Sequence, residues 1–262
     1  MLYLFCKLAD LKNRARRIAR DEKVPRQAAH DLAAVRGGFQ NYAHARRLLP
    51  DGEAPGRYLV EVRQRWRERD PRRTDVASLM VPLSSPLAAL LRPHQLVSYL
   101  SGCDLGETNV LLSDGFMRDL EETRIDLGKI GRALQFIDVT GLRPSSTRRI
   151  YPKGSWSNRP PIADHDHGWF DPEARVHVLS TEPYRDDADR RPEQDAWGNK
   201  WDWTTLRSDW GSIYGFGTTL YLCCPNAYAP VLRAKLDKLA AGPRAIKTDD
   251  ITIDDPLLFT AA

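Results

Sequence analysis

The period at which apolar residues recur changes after about residue 50, from that of a helix to that of a strand. Between residues 8 and 49 apolar side chains recur at steps of three and four, the period of an amphipathic helix. Pro25 suits the first turn of a second helix, and the Gly37-Gly38 pair ends it, so we predict three short helices within residues 1–50. The stretch PDGEAPG that follows is typical of a linker.

Beyond the linker the apolar residues alternate with polar ones, which is the period of a strand. RYLVEVRQRWRERD and DVASLMVPL carry this alternation on both sides of a DPRR turn and predict an antiparallel hairpin. PLAALLRPHQLVSYL, the segment around GFMRDLEE, and IDLGKIGRALQFIDV have helical spacing. Short strands follow between residues 150 and 210, then the strand TTLYLCC and a helix after Pro225.

This order predicts an α+β fold, because strands, helices and strands come in groups and do not alternate as βαβ units. We predict a small basic three-helix N-terminal module, residues 1–50, followed by a mixed domain with antiparallel hairpins and helices, residues 57–262.

Composition excludes several protein classes. With 42% hydrophobic residues and seven tryptophans, the chain can build a packed core. The four cysteines include no CxxC pair, so neither a disulfide scaffold nor a zinc finger is predicted. No stretch approaches eighteen apolar residues, and the sequence therefore predicts a cytoplasmic protein with no membrane partner. We expect no cofactor, and the sequence predicts no oligomeric state.

Positive charge is concentrated at the N-terminus. The net charge is +4, yet residues 1–50 alone contain 11 Lys and Arg against 4 Asp and Glu. Lys12, Arg16 and Arg20 stand four apart and would share one helix face, and Arg46 and Arg47 end the third predicted helix. Such a stripe predicts nucleic-acid binding through phosphates, and the alternatives are a solvated helix face or a module that docks another protein.

Two groups of motifs resemble known bacterial sequences. KNRARRIARDEKVPRQAAHDLAAVRGGFQNYAHARRLL resembles a short helical module at the N-terminus of several uncharacterised bacterial proteins. LQFIDVTGLRPS, YP, a DH pair, WFDP and TEPY resemble, in this order, one proteobacterial family known only as a domain of unknown function. This chain has Phe170 where that family has Tyr, and Thr181 where it has Asp. The resemblance implies a two-part accessory protein in a bacterial, often mobile-element, setting, and it implies no activity.

The stretch ADHDHGWFDPEARVHVLSTEPY predicts a β-hairpin dense in polar residues. Taking Asp171–Ala174 as the turn puts His165, His167 and Glu182 on one face. The predicted register has four pairs: Phe170 with Arg175, Trp169 with Val176, His167 with Val178, and His165 with Ser180.

The polar cluster of this hairpin suggests catalysis as the alternative to binding. In a hydrolase-type site His165 would act as general base, oriented by Glu182 or Asp164, with or without a bound metal. A metal would require a third ligand beyond His165 and His167, and no known spacing supplies one, so no metal site is predicted. Cys103 is a candidate distant nucleophile for the same histidine. The remaining alternative is a pure protein-interaction module.

Overall fold

The computed structural model describes residues 8–37, 39–48, 58–66, 75–106, 109–117, 119–184, 190–248 and 251. Within these ranges seven α-helices are present: α1 Leu8–Asp21, α2 Arg26–Arg36, α3 Tyr42–Leu48, α4 Leu87–Leu90, α5 Leu120–Thr140, α6 Arg191–Trp201 and α7 Ala229–Ala240. The same ranges contain nine strands: β1 Tyr58–Trp66, β2 Asp75–Leu83, β3 Cys103–Leu105, β4 Val110–Met117, β5 Arg143–Pro144, β6 His167–Asp171, β7 Val176–Thr181, β8 Trp203–Arg207 and β9 Tyr221–Pro225. The strands form two separate sheets, so the predicted α+β class is confirmed.

The chain divides into two compact units. The first unit takes in residues 1–89, 103–127 and 247–262, and the second takes in residues 90–102 and 128–246. This division groups the N-terminal helices with the first sheet, whereas the sequence predicted a boundary at the linker between residues 50 and 57. The predicted linker, the DPRR turn and most of the acidic TDDITIDD tail lie outside the described residues.

The first unit is built on a mixed four-stranded sheet in the order β2-β1-β4-β3. β1 and β2 pair antiparallel from Tyr58 opposite Leu83 to Trp66 opposite Asp75, which confirms the predicted hairpin. β4 runs parallel to β1, and β3 pairs antiparallel with β4. Small residues let the N-terminal helices pack closely: Leu11, Ala15, Ile18, Ala29, Ala33, Ala34 and Ala45 form one buried cluster. Leu59 and Met80 of the hairpin pack against that cluster.

The helix predicted over PLAALLRPHQLVSYL is mostly absent, and the one predicted around GFMRDLEE begins later than expected. α4 has only four residues, and single turns of 3-10 helix replace the remainder of PLAALLRPHQLVSYL. Pro93 explains the early stop, because proline disfavours the helical conformation of the residue before it. The segment VLLSDGFM forms strand β4, and helical conformation resumes only at Leu120.

The second unit contains a five-stranded sheet in the order β5-β6-β7-β9-β8. The side chains of Trp169, Val178 and Leu222 are fully buried on it. Helix α6, which the sequence did not predict, contributes Trp197 to a second buried cluster with Leu179 and Cys223. Most of the described tryptophans are therefore buried in the core, whereas Trp156 is exposed.

The predicted register of the hairpin in ADHDHGWFDPEARVHVLSTEPY, which we call the DHDH hairpin, was wrong by two positions. Trp169 pairs with Val178, not Val176, and His167 pairs with Ser180, which leaves His165 outside the strand. The cause is Asp171, whose Oδ1 accepts hydrogen bonds from the N–H groups of Glu173 (2.8 Å) and Ala174 (3.2 Å). Asp171 thus initiates the turn as the last paired residue. A shift by two preserves the faces, so Trp169 and Val176 still lie on the same side of the sheet.

Candidate functional site

Glu182, a predicted catalytic residue, is a fully buried carboxylate just after β7. Its oxygens accept hydrogen bonds from Ser212 Oγ (2.5 Å), from the Ile213 N–H (2.9 Å) and from the Tyr214 N–H (3.1 Å), and also from the Tyr99 hydroxyl. These donors occupy both oxygens. Glu182 therefore anchors the loop of residues 212–218 and has no oxygen left to orient a general base.

Arg132 binds the same loop by donating hydrogen bonds to the loop's carbonyl groups. Its Nε donates to the Ile213 carbonyl (2.8 Å) and its Nη2 donates to the Tyr214 carbonyl (3.1 Å). Burial lowers the pKa of Arg132 to about 10, partly opposed by the charge of Glu182, so the guanidinium remains protonated at neutral pH. A buried anion and a buried cation thus fix the N–H and C=O groups of one short loop.

His165 lies outside the sheet in a left-handed conformation, with φ of 47°. Its ring stacks on Tyr214 with 3.8 Å between ring centroids, and the ring of Tyr184 approaches edge-on at 5.1 Å. The Nε2 of His165 is 3.7 Å from Asp164 Oδ1, which is longer than a hydrogen bond. The structure therefore brings His165 close to Asp164, but it does not join His165 to Glu182.

His167 has a contact that the sequence did not reveal. Its Nδ1 lies 2.5 Å from Ser98 Oγ, and its ring packs against Tyr99 with 3.7 Å between centroids. Burial lowers the pKa of His167 to about 4, with smaller contributions from the charges of His165 and Lys129, so the imidazole is neutral at physiological pH. Ser98 has φ of 65°, a conformation that is uncommon outside glycine.

Cys103, the predicted distant nucleophile, does not have the properties of a reactive thiol. Burial raises the pKa of the Cys103 thiol to about 12, so this residue is not the thiolate that a nucleophile requires. Burial also raises the pKa of Asp166, which receives a hydrogen bond of 3.3 Å from the Tyr151 hydroxyl. Across the part of the chain that the structure describes, no three His, Cys, Asp or Glu side chains come together as a metal-ligand set.

A groove in the first unit is lined by arginines from α1 and from strand β1. Its volume is about 610 Å³, and we call it the arginine groove. Its charged lining residues are Arg14, Arg17, Arg20, Asp21, Glu61, Arg63, Arg65 and Asp114. Five arginines face three carboxylates, which leaves a surplus of positive charge.

Glu61 is the centre of the arginine groove, and its side chain is 4% exposed. Its carboxylate accepts hydrogen bonds from Arg17 (2.7 Å), Arg63 (3.0 Å) and Arg14 (3.2 Å), and from Ser78 Oγ (3.0 Å). Burial alone raises the pKa of Glu61, but the hydrogen bond from Arg63 and the charge of Arg14 outweigh it, so the pKa is lowered. Three cations thus converge on a single buried anion.

The predicted basic stripe lies on the polar face of α1. Arg16 and Arg20 are exposed and Lys12 is half-buried, whereas Leu11 and Ala15 are fully buried. The charge of the stripe affects His30 of α2. Burial lowers the pKa of His30 most, followed by the charge of Arg26 and then by that of Lys12, which belongs to the stripe.

Arg20 belongs both to the stripe and to the arginine groove, where it pairs with Asp21 at 3.0 Å. Arg46 is exposed on α3, and the side chain of Arg47 lies outside the described residues.

Sequence reasoning missed the arginine groove, although the signal for it was present. In EVRQRWR every second residue from Glu61 to Arg65 is charged, and these residues share one face of a strand. Arg14 and Arg17 stand three apart and so lie on neighbouring positions of one helix face. Only the packing of α1 against the hairpin shows that the two sets meet.

Comparisons with known proteins identify no relative. No protein-family model, no curated protein and no solved structure matches the chain. The resemblances of the N-terminal helices and of the DHDH region therefore stay predictions. None of the described helices is both long enough and apolar enough to cross a membrane.

Proposed function

We propose that this chain binds nucleic acid through the arginine groove, without reading base sequence, as a cytoplasmic bacterial accessory protein. The observation that carries the proposal is the excess of arginine over carboxylate in the groove. Arginine is the side chain best suited to phosphate, because its planar guanidinium can donate two parallel hydrogen bonds to phosphate oxygens.

The positions of the arginines suit an extended polyanion. Arg14 and Arg17 are tied to Glu61, whereas Arg20 and Arg65 have more exposed side chains, at 76% and 47%. Arg20 forms an ion pair with the exposed Asp21, and Arg65 forms one with the exposed Asp114; such surface pairs contribute about 0 to 1 kcal/mol. Phosphates can replace these carboxylates at small cost, and the release of counterions from the nucleic acid then favours binding.

Two double variants that remove equal charge test this proposal. We expect Arg20→Gln/Arg65→Gln to weaken binding of a fluorescent 20-base-pair duplex about thirtyfold at low salt, since two lost phosphate contacts of roughly 1 kcal/mol each amount to roughly 2 kcal/mol. Lys12→Gln/Arg16→Gln removes the same charge from the part of the basic stripe that lies outside the arginine groove, and it should weaken binding less. Fluorescence anisotropy gives both affinities, and circular dichroism checks that both variants are folded.

Two outcomes would oppose the proposal. If the wild-type chain does not bind the duplex at low salt, an acidic protein surface becomes the favoured partner of the groove. If Lys12→Gln/Arg16→Gln binds the duplex more weakly than Arg20→Gln/Arg65→Gln, the N-terminal helices bind through Lys12 and Arg16 and the groove has another role.

The second candidate function is hydrolysis of an acyl group at the DHDH segment. The short contact between Ser98 and a neutral His167 favours it, because a neutral imidazole can accept the proton of an attacking hydroxyl. It ranks second because a pKa of about 4 makes His167 a weak base at neutral pH. In addition, among the described residues no carboxylate is hydrogen-bonded to this imidazole.

A fluorogenic ester panel tests the hydrolase candidate. The candidate predicts turnover that is lost in Ser98→Ala and kept in Ser101→Ala, a control at the end of the same turn. Equal turnover by both variants would eliminate Ser98 as the nucleophile.

A further inference from the structure

Three side chains form a row across the edge of the five-stranded sheet. Arg143 of β5 lies opposite Phe170 of β6, which lies opposite His177 of β7. Directly opposed residues share a face, so this row lies on the face away from Trp169 and Val178. The rings of Phe170 and His177 are in contact, with 4.8 Å between centroids. The row is half-buried and presents two aromatic rings, tilted by 39° to one another, beside the side chain of Arg143.

The row lies in a groove of about 650 Å³ that we call the basic platform. Its lining includes Arg143, Arg149, Phe170, Arg175 and His177. No Asp or Glu of the described residues lines the platform, whereas the arginine groove contains three carboxylates. Within the described ranges no ion pair involves Arg149 or Arg175. No carboxylate of the part of the chain that the structure describes has to be displaced from Arg149 or Arg175 before an anion binds.

Local sequence fixes the backbone on both sides of the platform. Ser145 donates its N–H to the Gly168 carbonyl at 2.9 Å, and a Cβ on Gly168 would lie 2.3 Å from the Ser145 carbonyl oxygen. Glycine at 168 thus lets the segment before Arg149 lie directly on β6. On the other side, the turn initiated by Asp171 ends at Arg175, which has φ of 57°. Binding of a ligand therefore has to order the arginine side chains but not the backbone that carries them.

We propose that the basic platform binds a nucleotide unit, with a base stacked on Phe170 and its phosphate held by Arg149 and Arg175. Aromatic residues on a sheet surface flanked by basic side chains are a common arrangement for unstacked bases. The groove volume lies within the range of small-ligand sites. The unit can belong to a free nucleotide or to a single strand. This proposal involves a different region from the arginine groove and does not rest on the proposed function.

Three probes separate stacking from charge and identify the source of the nucleotide. They are a fluorescent thymidine decamer, an abasic decamer with the same phosphodiester chain, and free thymidine monophosphate. We expect the thymidine decamer to bind about tenfold more tightly than the abasic decamer, and Phe170→Leu to abolish that difference. Monophosphate binding of similar strength indicates a free nucleotide as ligand, and binding of the decamer alone indicates a strand.

Arg149 and its neighbour Arg148 provide a matched pair of variants. Both are exposed and carry the same charge, but only Arg149 lines the platform. We expect Arg149→Gln to weaken decamer binding at least fivefold and Arg148→Gln to change it less than twofold.

Equal effects of the Arg149 and Arg148 variants, or equal wild-type affinities for the two decamers, would overturn the proposal. The Arg149 comparison applies even if Phe170→Leu fails to fold. Decamer binding that is lost in Arg20→Gln/Arg65→Gln and kept in Arg149→Gln would belong to the arginine groove and would also contradict the platform.

Discussion

Among the described residues each unit buries one glutamate, and the two carboxylates are stabilised by different means. Glu61 in the first unit is neutralised by three arginine side chains, which are between 19% and 39% exposed. Glu182 in the second unit is hydrogen-bonded to hydroxyl groups and backbone N–H groups, and Arg132 holds the other side of the same loop. The first arrangement presents charge at a surface, whereas the second fixes backbone conformation.

The comparison shows that burial alone does not identify a catalytic carboxylate. Glu182 was the stronger catalytic candidate from sequence because it follows the DHDH hairpin, yet its hydrogen-bonding capacity is already used. Glu61 was not a predicted site residue, yet three arginine side chains of a basic surface bind to it. The partners of a carboxylate determine whether it is structural or functional.

Glu182→Gln should have the largest effect on stability. An amide at this position places an NH₂ group against the donors of Ser212, Ile213 and Tyr214 at a fully buried side chain. We expect a loss of about 3 to 4 kcal/mol in the free energy of unfolding. Urea denaturation measures it, with Asp164→Asn as the control at an exposed carboxylate nearby. A loss below about 1 kcal/mol would show that Glu182 does not anchor the loop.

Glu61→Gln should cost less than Glu182→Gln. The amide oxygen can still accept hydrogen bonds, and the partly exposed guanidinium groups of Arg14, Arg17 and Arg63 remain hydrated. We expect a loss of about 1 to 2 kcal/mol in the same denaturation experiment. The reverse order of the two variants would break the comparison between the two carboxylates.

Acid should remove the contribution of Glu61. Its pKa is lowered in the folded chain from the ordinary value of 4.5, so its stabilising contribution is complete above pH 4.5 and is lost as the pH falls through the folded-state pKa. The difference in unfolding free energy between wild type and Glu61→Gln should therefore shrink between pH 5 and pH 3. A difference that stays constant over this range would indicate that the contribution of Glu61 is not electrostatic.

The same substitution should increase nucleic-acid affinity, which is the smallest effect expected. Removal of one negative charge from the arginine groove favours phosphate by about 0.5 to 1 kcal/mol, or about two- to fivefold in affinity. Anisotropy with the 20-base-pair duplex measures the change, and Glu182→Gln, if folded, should leave the affinity unaltered. A weaker affinity in Glu61→Gln would mean that Glu61 positions the arginines and that its charge does not limit binding.

The sequence was sufficient where local pattern determines structure. The period of two in Tyr58–Trp66 predicted β1 and its hairpin, and the buried positions Leu11, Ala15 and Ile18 follow the predicted helical face. It was insufficient where a single side chain selects between conformations. The turn at Asp171 set the register of the DHDH hairpin, and Pro93 shortened a helix that apolar spacing favoured.

Candidate sites were less predictable than secondary structure, because each depends on residues far apart in sequence. Glu182 contacts residues about thirty positions later in the chain, and Arg17 meets Glu61 across 44 positions. The pairing of Ser98 with His167 spans 69 positions. Periodicity contains no information on such contacts, so the sequence could identify the residue types but not the sites.

The salt dependence of duplex binding tests the central claim, that the arginine groove binds nucleic acid through charge. The slope of log affinity against log salt concentration is measured for wild type, for Arg20→Gln/Arg65→Gln and for Lys12→Gln/Arg16→Gln. The account predicts a steep negative slope for wild type that becomes shallower by about 2 in the groove variant, because each lost phosphate contact contributes about 0.9. A flat wild-type slope, or a groove variant with the wild-type slope, would contradict it.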